Sequence, residues 1–212
     1  MAENGFFFTT PYFPREEICR QADDFRKCYW AQEELPVDIL KIMEIKLLIE
    51  IEPIRDLLKR FDIDALLLSN FTRMIVDYDE YMDDRKQNRL RFSIAHEIGH
   101  LVLHRILFDS IRHETPEDWI AFMESIPEKE YGILEYQANE FAGRLLVPSD
   151  QLKINLDEAI ARLCEKSDPS LLQHDQTPGY LASFISRHFG VSGEVIEIRM
   201  NREGLWPPRI DT

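Results

Sequence analysis

The residues best equipped for chemistry are concentrated in one stretch, Arg91-Phe-Ser-Ile-Ala-His96-Glu97-Ile-Gly-His100-Leu-Val-Leu-His104. It contains HExxH, with His96, Glu97 and His100 in the fixed positions. On a helix, side chains four apart lie one above the other, so both imidazoles can reach a single ion. Glu97 is turned about 100° from His96, which lets it address a water beside a metal without ligating the metal. Chance supplies roughly 0.02 such matches in a chain of this composition, so the pattern calls for a cause. The helix carrying it is predicted over residues 89–108. Ile94, Ala95, Ile98, Leu101 and Val102 cover most of its surface, so the histidines should be largely buried. The plainer alternative is a pair of hydrogen-bonded core histidines beside a surface glutamate.

Two histidines do not complete a zinc site. A third protein ligand is needed, with water in the fourth place. A histidine six residues after His100 would serve, as in Met-turn metzincins, but Ile106 stands there. None of Cys19, Cys28 and Cys164 has a setting like that of the peptide deformylase cysteine. The best candidate is Glu135, within Glu135-Tyr-Gln-Ala-Asn139-Glu140-Phe-Ala142-Gly143-Arg-Leu-Leu-Val-Pro148. Glu135, Asn139 and Ala142 share a helical face, and Ala138, Ala142 and Gly143 are small enough for close approach to the first helix. Asn139, one turn on from Glu135, would orient a histidine through its other ring nitrogen. Glu140 points about 140° away from Glu135 and reads as a surface charge. His104 reads either as a group that orients the site or faces substrate, or as a polar residue at a helix end, where a cation suits the dipole. His113, His174 and His188 carry no ligand spacing.

Other elements must position these residues. Pro14 opens a helix whose stripe of Ile18, Ala22, Phe25 and Tyr29 runs to about Trp30. A second helix starts at Pro36, with Ile39, Leu40, Met43 and Leu47 inward. Residues 49–54 alternate with period two and read as a short strand; residues 55–61 make a helical turn. Residues 65–69 and Arg73–Asp77 form a hairpin turning at Asn70-Phe71. The acidic stretch 79–84 lacks the glycine and spacing of a calcium loop and reads as a solvated loop. Helices follow over 116–125 and 130–147, and helical patterns continue to Met200. Helices, a small antiparallel sheet, then helices predict an α+β, mostly helical fold. Residues 1–150 are expected to form the catalytic domain. A helix-turn-helix-like segment, 151–212, is expected to pack on it.

Composition limits the function. Of 212 residues, 44% are hydrophobic and 30% charged, as in globular proteins with a sizeable core. The net charge of −14 repels phosphate backbones, so direct nucleic-acid binding is not expected and a basic protein partner is. Three cysteines without framework spacing argue for a reducing compartment. No apolar stretch reaches membrane-spanning length, and MAENGFFFTTPYFPREE has no basic n-region. A cytoplasmic protein is expected.

Two motif blocks, Arg-Phe-x-x-Ala-His-Glu-x-Gly-His-x-x-x-His from Arg91 and Glu-x-x-Ala-Asn-x-Phe-Ala-x-x-Leu-Leu-x-Pro from Glu135, closely resemble the ImmA/IrrE family of metallo-endopeptidases. The resemblance implies a zincin-like fold and a zinc site of His96, His100 and Glu135, with Glu97 as general base. It implies substrates among helix-turn-helix transcriptional repressors. Gln137 is a departure, since many relatives carry a second Glu there; it leaves Glu135 as the only acidic ligand candidate on that face. Zinc is the expected metal, and a two-His, one-carboxylate set also accepts Mn2+. Tyr78, Tyr81 and His104 are candidate oxyanion donors, and Arg73–Asp77 is a candidate edge strand for extended substrate. Two competing readings are a DNA-binding regulator using residues 180–202, and a metal-binding regulatory protein without peptidase activity. Glu194 and Glu197 on the would-be recognition helix argue against the first, and the intact Glu97 against the second.

Overall fold

The computed structural model describes residues 8–32 and 34–208. Residues 1–7, on which the reading of a missing leader partly rests, lie outside them. Helix α1 (Arg15–Tyr29) starts after Pro14 and buries Ile18, Ala22 and Phe25. Helix α2 (Ile39–Lys41), capped by Asp38, widens into a π turn over Ile42–Lys46. Strand β1 (Glu50–Ile54), the short helix α3 (Leu57–Phe61), and strands β2 (Ala65–Leu67) and β3 (Arg73–Asp77) come next.

The sheet order is β1-β3-β2. The hairpin is antiparallel, Leu66 opposite Ile75, with Phe71 at φ 52° in its turn. Strand β1 joins the other side of β3 in parallel, so the sheet is mixed rather than antiparallel throughout. Pro53 sits on an edge strand, where a missing N–H is tolerated.

Two expectations fail here for electrostatic reasons. The acidic stretch is not a loop: α4 (Tyr78–Met82) forms because the buried Asp77 carboxylate accepts the N–H groups of Asp79 and Glu80. Glu80 is itself buried and paired with Lys86 at 2.8 Å. Glu140 is not a surface charge either. Helices α1 and α11 (Gly193–Arg202) cover it, and its carboxylate accepts from Arg15 at 3.1 Å and Arg199 at 3.0 Å and pairs with Arg202.

The HExxH helix α5 spans Gln87–Leu103. His104, at φ −120° and ψ 13°, breaks the continuity predicted through residue 108, and α6 (Arg105–Ile111) begins after it. Helix α7 (Pro116–Ser125) has a Thr115–Asp118 capping box. Helix α8 (Glu128–Leu146) packs on α5 so closely that a Cβ on Gly99 would meet Ala138 Cα and O at 3.0 Å. That approach brings the two motif blocks together. Helices α9 (Ser149–Lys166), α10 (Thr177–Phe189) and α11 contribute Leu156, Ile185 and Met200 to the core that contains Ile94, Ile98 and Phe141. The motif arginine, Arg91, ties this end together by donating to the carbonyls of Gly190 at 2.9 Å and Val37 at 2.8 Å.

Candidate active site

Helices α5 and α8 face each other across the base of a cleft of about 920 Å³. The Nε2 atoms of His96 and His100 are 2.9 Å apart. Glu135 spans them, with one carboxylate oxygen 3.3 Å from His96 Nε2 and the other 3.5 Å from His100 Nε2. Donor atoms on a tetrahedral zinc with bonds near 2.0–2.1 Å lie about 3.3 Å apart. The three side chains thus converge at separations close to those between the ligands of such an ion. Asn139 Oδ1 lies 3.0 Å from His96 Nδ1, which places the proton on Nδ1 and leaves Nε2 its lone pair. Behind His100, His104 Nδ1 is 3.0 Å from His100 Nδ1. His104 is 1% exposed and caps the C-terminus of α5, so it ends that helix as a buried, neutral ring rather than as a cation or a substrate-facing group.

Glu97 is also within reach of the imidazoles, since donor atoms of His96, Glu97 and His100 all lie within 4.8 Å of one another. Its Oε2 is already taken, however, accepting the Leu67 N–H at 2.9 Å. Strand β2 is the free edge of the sheet on this side, and β3, expected to pair with substrate, is the central strand and has no open edge. The Leu67 carbonyl is occupied as well, accepting from His113 Nε2 at 2.8 Å. His113, which looked ordinary in the sequence, thus braces the strand that holds Glu97.

The two carboxylates are pushed in opposite directions. Burial raises Glu97 to about 7; His96 and the Leu67 N–H oppose that shift. Burial acts on Glu135 in the same sense, but hydrogen bonds and charge interaction with His100 and His96 outweigh it and hold Glu135 well below the carboxylate range. Burial lowers His100 to about 4 and His104 to about 3, so both are neutral at physiological pH. His96 is raised despite its burial, because Glu135, Glu97 and Asn139 favour its charged form. Paired groups with diverging proton affinities mark sites of acid–base work.

Of the sequence-predicted residues, His96, Glu97, His100, Glu135, Asn139 and His104 converge. Tyr78 does not. Its ring packs under Arg55, 4.4 Å from the guanidinium, and Tyr81 packs against the main core. Tyr131 and Tyr136 line the cleft; Tyr136 packs under Arg202, whereas Tyr131 stands one turn before Glu135 on the same face of α8. Burial, then the Glu135 charge, raises its pKa to about 12, which keeps the phenol a donor. The signal was available in the sequence: Tyr131 stands four residues ahead of the expected ligand.

The model of the IrrE N-terminal-like domain, Peptidase_M78, matches residues 58–201, more than half of the chain. The chain belongs to this family. It is a metallopeptidase of the ImmA/IrrE type, for which a metal cofactor and a protein substrate are implied. No curated protein matches the sequence. The match runs from α3 to α11, which covers all the cleft-lining residues but Arg202, and leaves out α1, α2, β1 and the segment before them. Among the described residues no helix is long and apolar enough to cross a membrane.

Proposed function

We propose that this metallopeptidase is a zinc-dependent endopeptidase whose substrate is a basic, DNA-binding helix-turn-helix repressor. The convergence of His96, His100 and Glu135 at zinc-like spacing, beside a separately anchored Glu97, carries the reading. Glu135 is the third ligand because its two oxygens address both imidazoles, whereas Glu97 has one oxygen engaged and a raised proton affinity.

When bound, zinc supplies Lewis acidity, lowering the pKa of a water towards 7 and polarising the scissile carbonyl. The residues do the rest. Substrate main chain pairs with the outer edge of β2. Alternate residues of an edge strand turn their N–H and C=O outward, and at Leu67 both are taken, so Ala65 in the cleft wall is the peptide unit available. Glu97 accepts a proton as the water oxygen bonds to the carbonyl carbon. It returns that proton to the amine nitrogen as the C–N bond breaks. The Tyr131 phenol donates to the developing oxyanion. The charge of −14 favours encounter with a basic protein and disfavours DNA. Helix α11 also gives the DNA-binding reading little support, since Arg199 is buried on Glu140 and α11 lines the cleft.

The test uses zinc-loaded protein and the product of a neighbouring repressor gene, with fragments identified by mass spectrometry. Cleavage should stop with chelator and return with Zn2+ or Mn2+. Glu97→Gln should bind metal normally and cleave at least about 100-fold more slowly. Undiminished cleavage by Glu97→Gln removes it as the base, and an intact repressor under all these conditions removes the substrate assignment.

A further inference from the structure

Helix α11, the would-be recognition helix of the DNA-binding reading, lies across one end of the cleft. Its start is held to α5, where Asn88 Nδ2 donates to the Val191 carbonyl at 3.1 Å. Its far end is held to α8, where Arg199 donates to Glu140 at 3.0 Å and the Arg202 guanidinium covers the Tyr136 ring at 5.1 Å. Between these ties, Val195 and Ile198, three apart on one face of α11, line the cleft together with Phe92 of α5 and Tyr136 of α8. Ile198 is 45% exposed and Tyr136 41%, so this wall offers apolar surface to whatever enters. The charge of Arg202 is spent on Glu140. Glu194, exposed in the first turn of α11 and also lining the cleft, makes no ion pair among the described residues.

The path of a bound peptide leads to this wall. Strand β2 and helix α5 run side by side in the same direction. The Leu67 N–H meets Glu97 at 2.9 Å, and Asp64, just before β2, pairs with Arg89 at 2.9 Å. Three strand steps and eight helix steps each cover roughly 10–12 Å, so the two elements keep pace. A peptide laid along the outer edge of β2 and past its start therefore travels over Phe92 towards Asn88, where α11 begins. Phe92 is one turn before His96, about 6 Å along the helix, which is the reach of one or two residues of extended chain. We propose that Phe92, Tyr136, Val195 and Ile198 form a specificity pocket for a large aliphatic or aromatic side chain within two residues of the scissile bond, with Glu194 favouring a basic neighbour. This rests on the peptidase reading and adds which bonds are cut. A leucine-sized side chain gains by leaving water there, and an alanine gains far less. The same helix suits DNA poorly, since its open face carries isoleucine, valine and glutamate.

The test reads cleavage and binding separately. Zinc-loaded protein is given a mixture of short synthetic peptides of varied sequence, and mass spectrometry locates the cut bonds. Leu, Ile, Met or Phe should be enriched at one fixed position within two residues of the cut. Exchanging that residue for Ala should lower kcat/KM about 10-fold or more. Ile198→Trp, which fills the pocket, should move the preference there to Ala and Gly, and Ile198→Ala, which deepens it, to Phe and Trp. Glu194→Gln should reduce the share of Lys and Arg beside that position. Ile154→Ala, similarly exposed on α9 but outside the cleft lining, should change nothing. Circular dichroism on each variant separates loss of fold from changed preference. For binding, Glu97→Gln protein with added Zn2+ is titrated with acetyl-Lys-Leu-Leu-Lys-amide and with its Ala-Ala counterpart. The Ile198 δ1-methyl NMR signal, assigned by its loss in Ile198→Val, should shift with the first peptide and stay with the second. No enriched position, or the wild-type preference retained in folded Ile198→Trp and Ile198→Ala, overturns the proposal. If wild-type protein cuts no peptide, the peptidase reading fails; a shifted Ile198 signal then still upholds the pocket, and an unmoved one overturns it.

Discussion

Two glutamates five residues apart on α8, Glu140 buried and Glu135 half-buried, illustrate different uses of the same side chain. Glu140 is surrounded by guanidinium groups: Arg15 from α1, and Arg199 and Arg202 from α11. Its charge is met by fixed opposite charges, and its geometry ties three helices together. Glu135 faces two imidazoles at the floor of an open cleft, His100 kept neutral by burial and His96 drawn towards its charged form by Glu135 itself. No guanidinium or ammonium is fixed there, so the cluster keeps lone pairs to offer an ion. A buried carboxylate with its countercharges built in is structural, and one whose countercharge is missing is a binding site.

Crossed substitutions would break this contrast if it were mistaken. Glu135→Ala should weaken zinc binding more than about 100-fold while lowering Tm little, because no stranded cation remains. Glu140→Ala should do the reverse. It removes the carboxylate shared by three guanidinium groups, leaving Arg15 and Arg199 with Glu203 alone among carboxylates, and should cost about 3–5 kcal/mol of stability, with metal content still one per chain. Metal titration and urea unfolding on both variants decide the matter. Joint loss of metal and stability in either variant would make the two clusters one unit.

Tyr131→Phe sharpens the functional side. Loss of one oxyanion donor should lower kcat about 100-fold with KM nearly unchanged, whereas Tyr78→Phe should leave both alone. Equal kcat in wild type and Tyr131→Phe would return the oxyanion donor to some other group.

A smaller effect follows from Glu97. Its raised value means that its contribution to stability is complete below the ordinary 4.5 and is lost as pH rises through about 7. Metal-free Glu97→Gln should therefore gain on wild type from about pH 5 to 8, by roughly 2 kcal/mol. Acid has the opposite effect through His100, whose lowered value of about 4 means its contribution is present above 6.5 and lost as pH falls through 4. Parallel stability–pH curves for the two proteins would show that Glu97 is not buried as a carboxyl.

The smallest effect concerns the whole surface. With a net charge of −14, kcat/KM for a basic repressor should fall a few-fold as salt rises, and that for a short neutral peptide should not. Equal slopes would reduce the acidic balance to a solubility feature.

The sequence alone carried the chemistry that depends on local spacing. HExxH and the Glu135-to-Asn139 interval are helical periodicities, so His96, His100, Glu135 and Asn139 could be put on facing surfaces without coordinates. The α+β class and the hairpin at Asn70-Phe71 came from equally local patterns. Tertiary structure decided whatever depended on which faces meet. Glu140 read as solvent-facing until α1 and α11 covered it. Residues 79–84 read as a loop because Asp77, the cap that makes α4, also closes a strand. The edge role passed from β3 to β2 because strand order is set by the parallel docking of β1, a non-local pairing. Gln137 looked like a mere departure from a pattern. Its hydrogen bond to the Pro11 carbonyl joins residues 126 positions apart in the chain, and no spacing rule reaches that far.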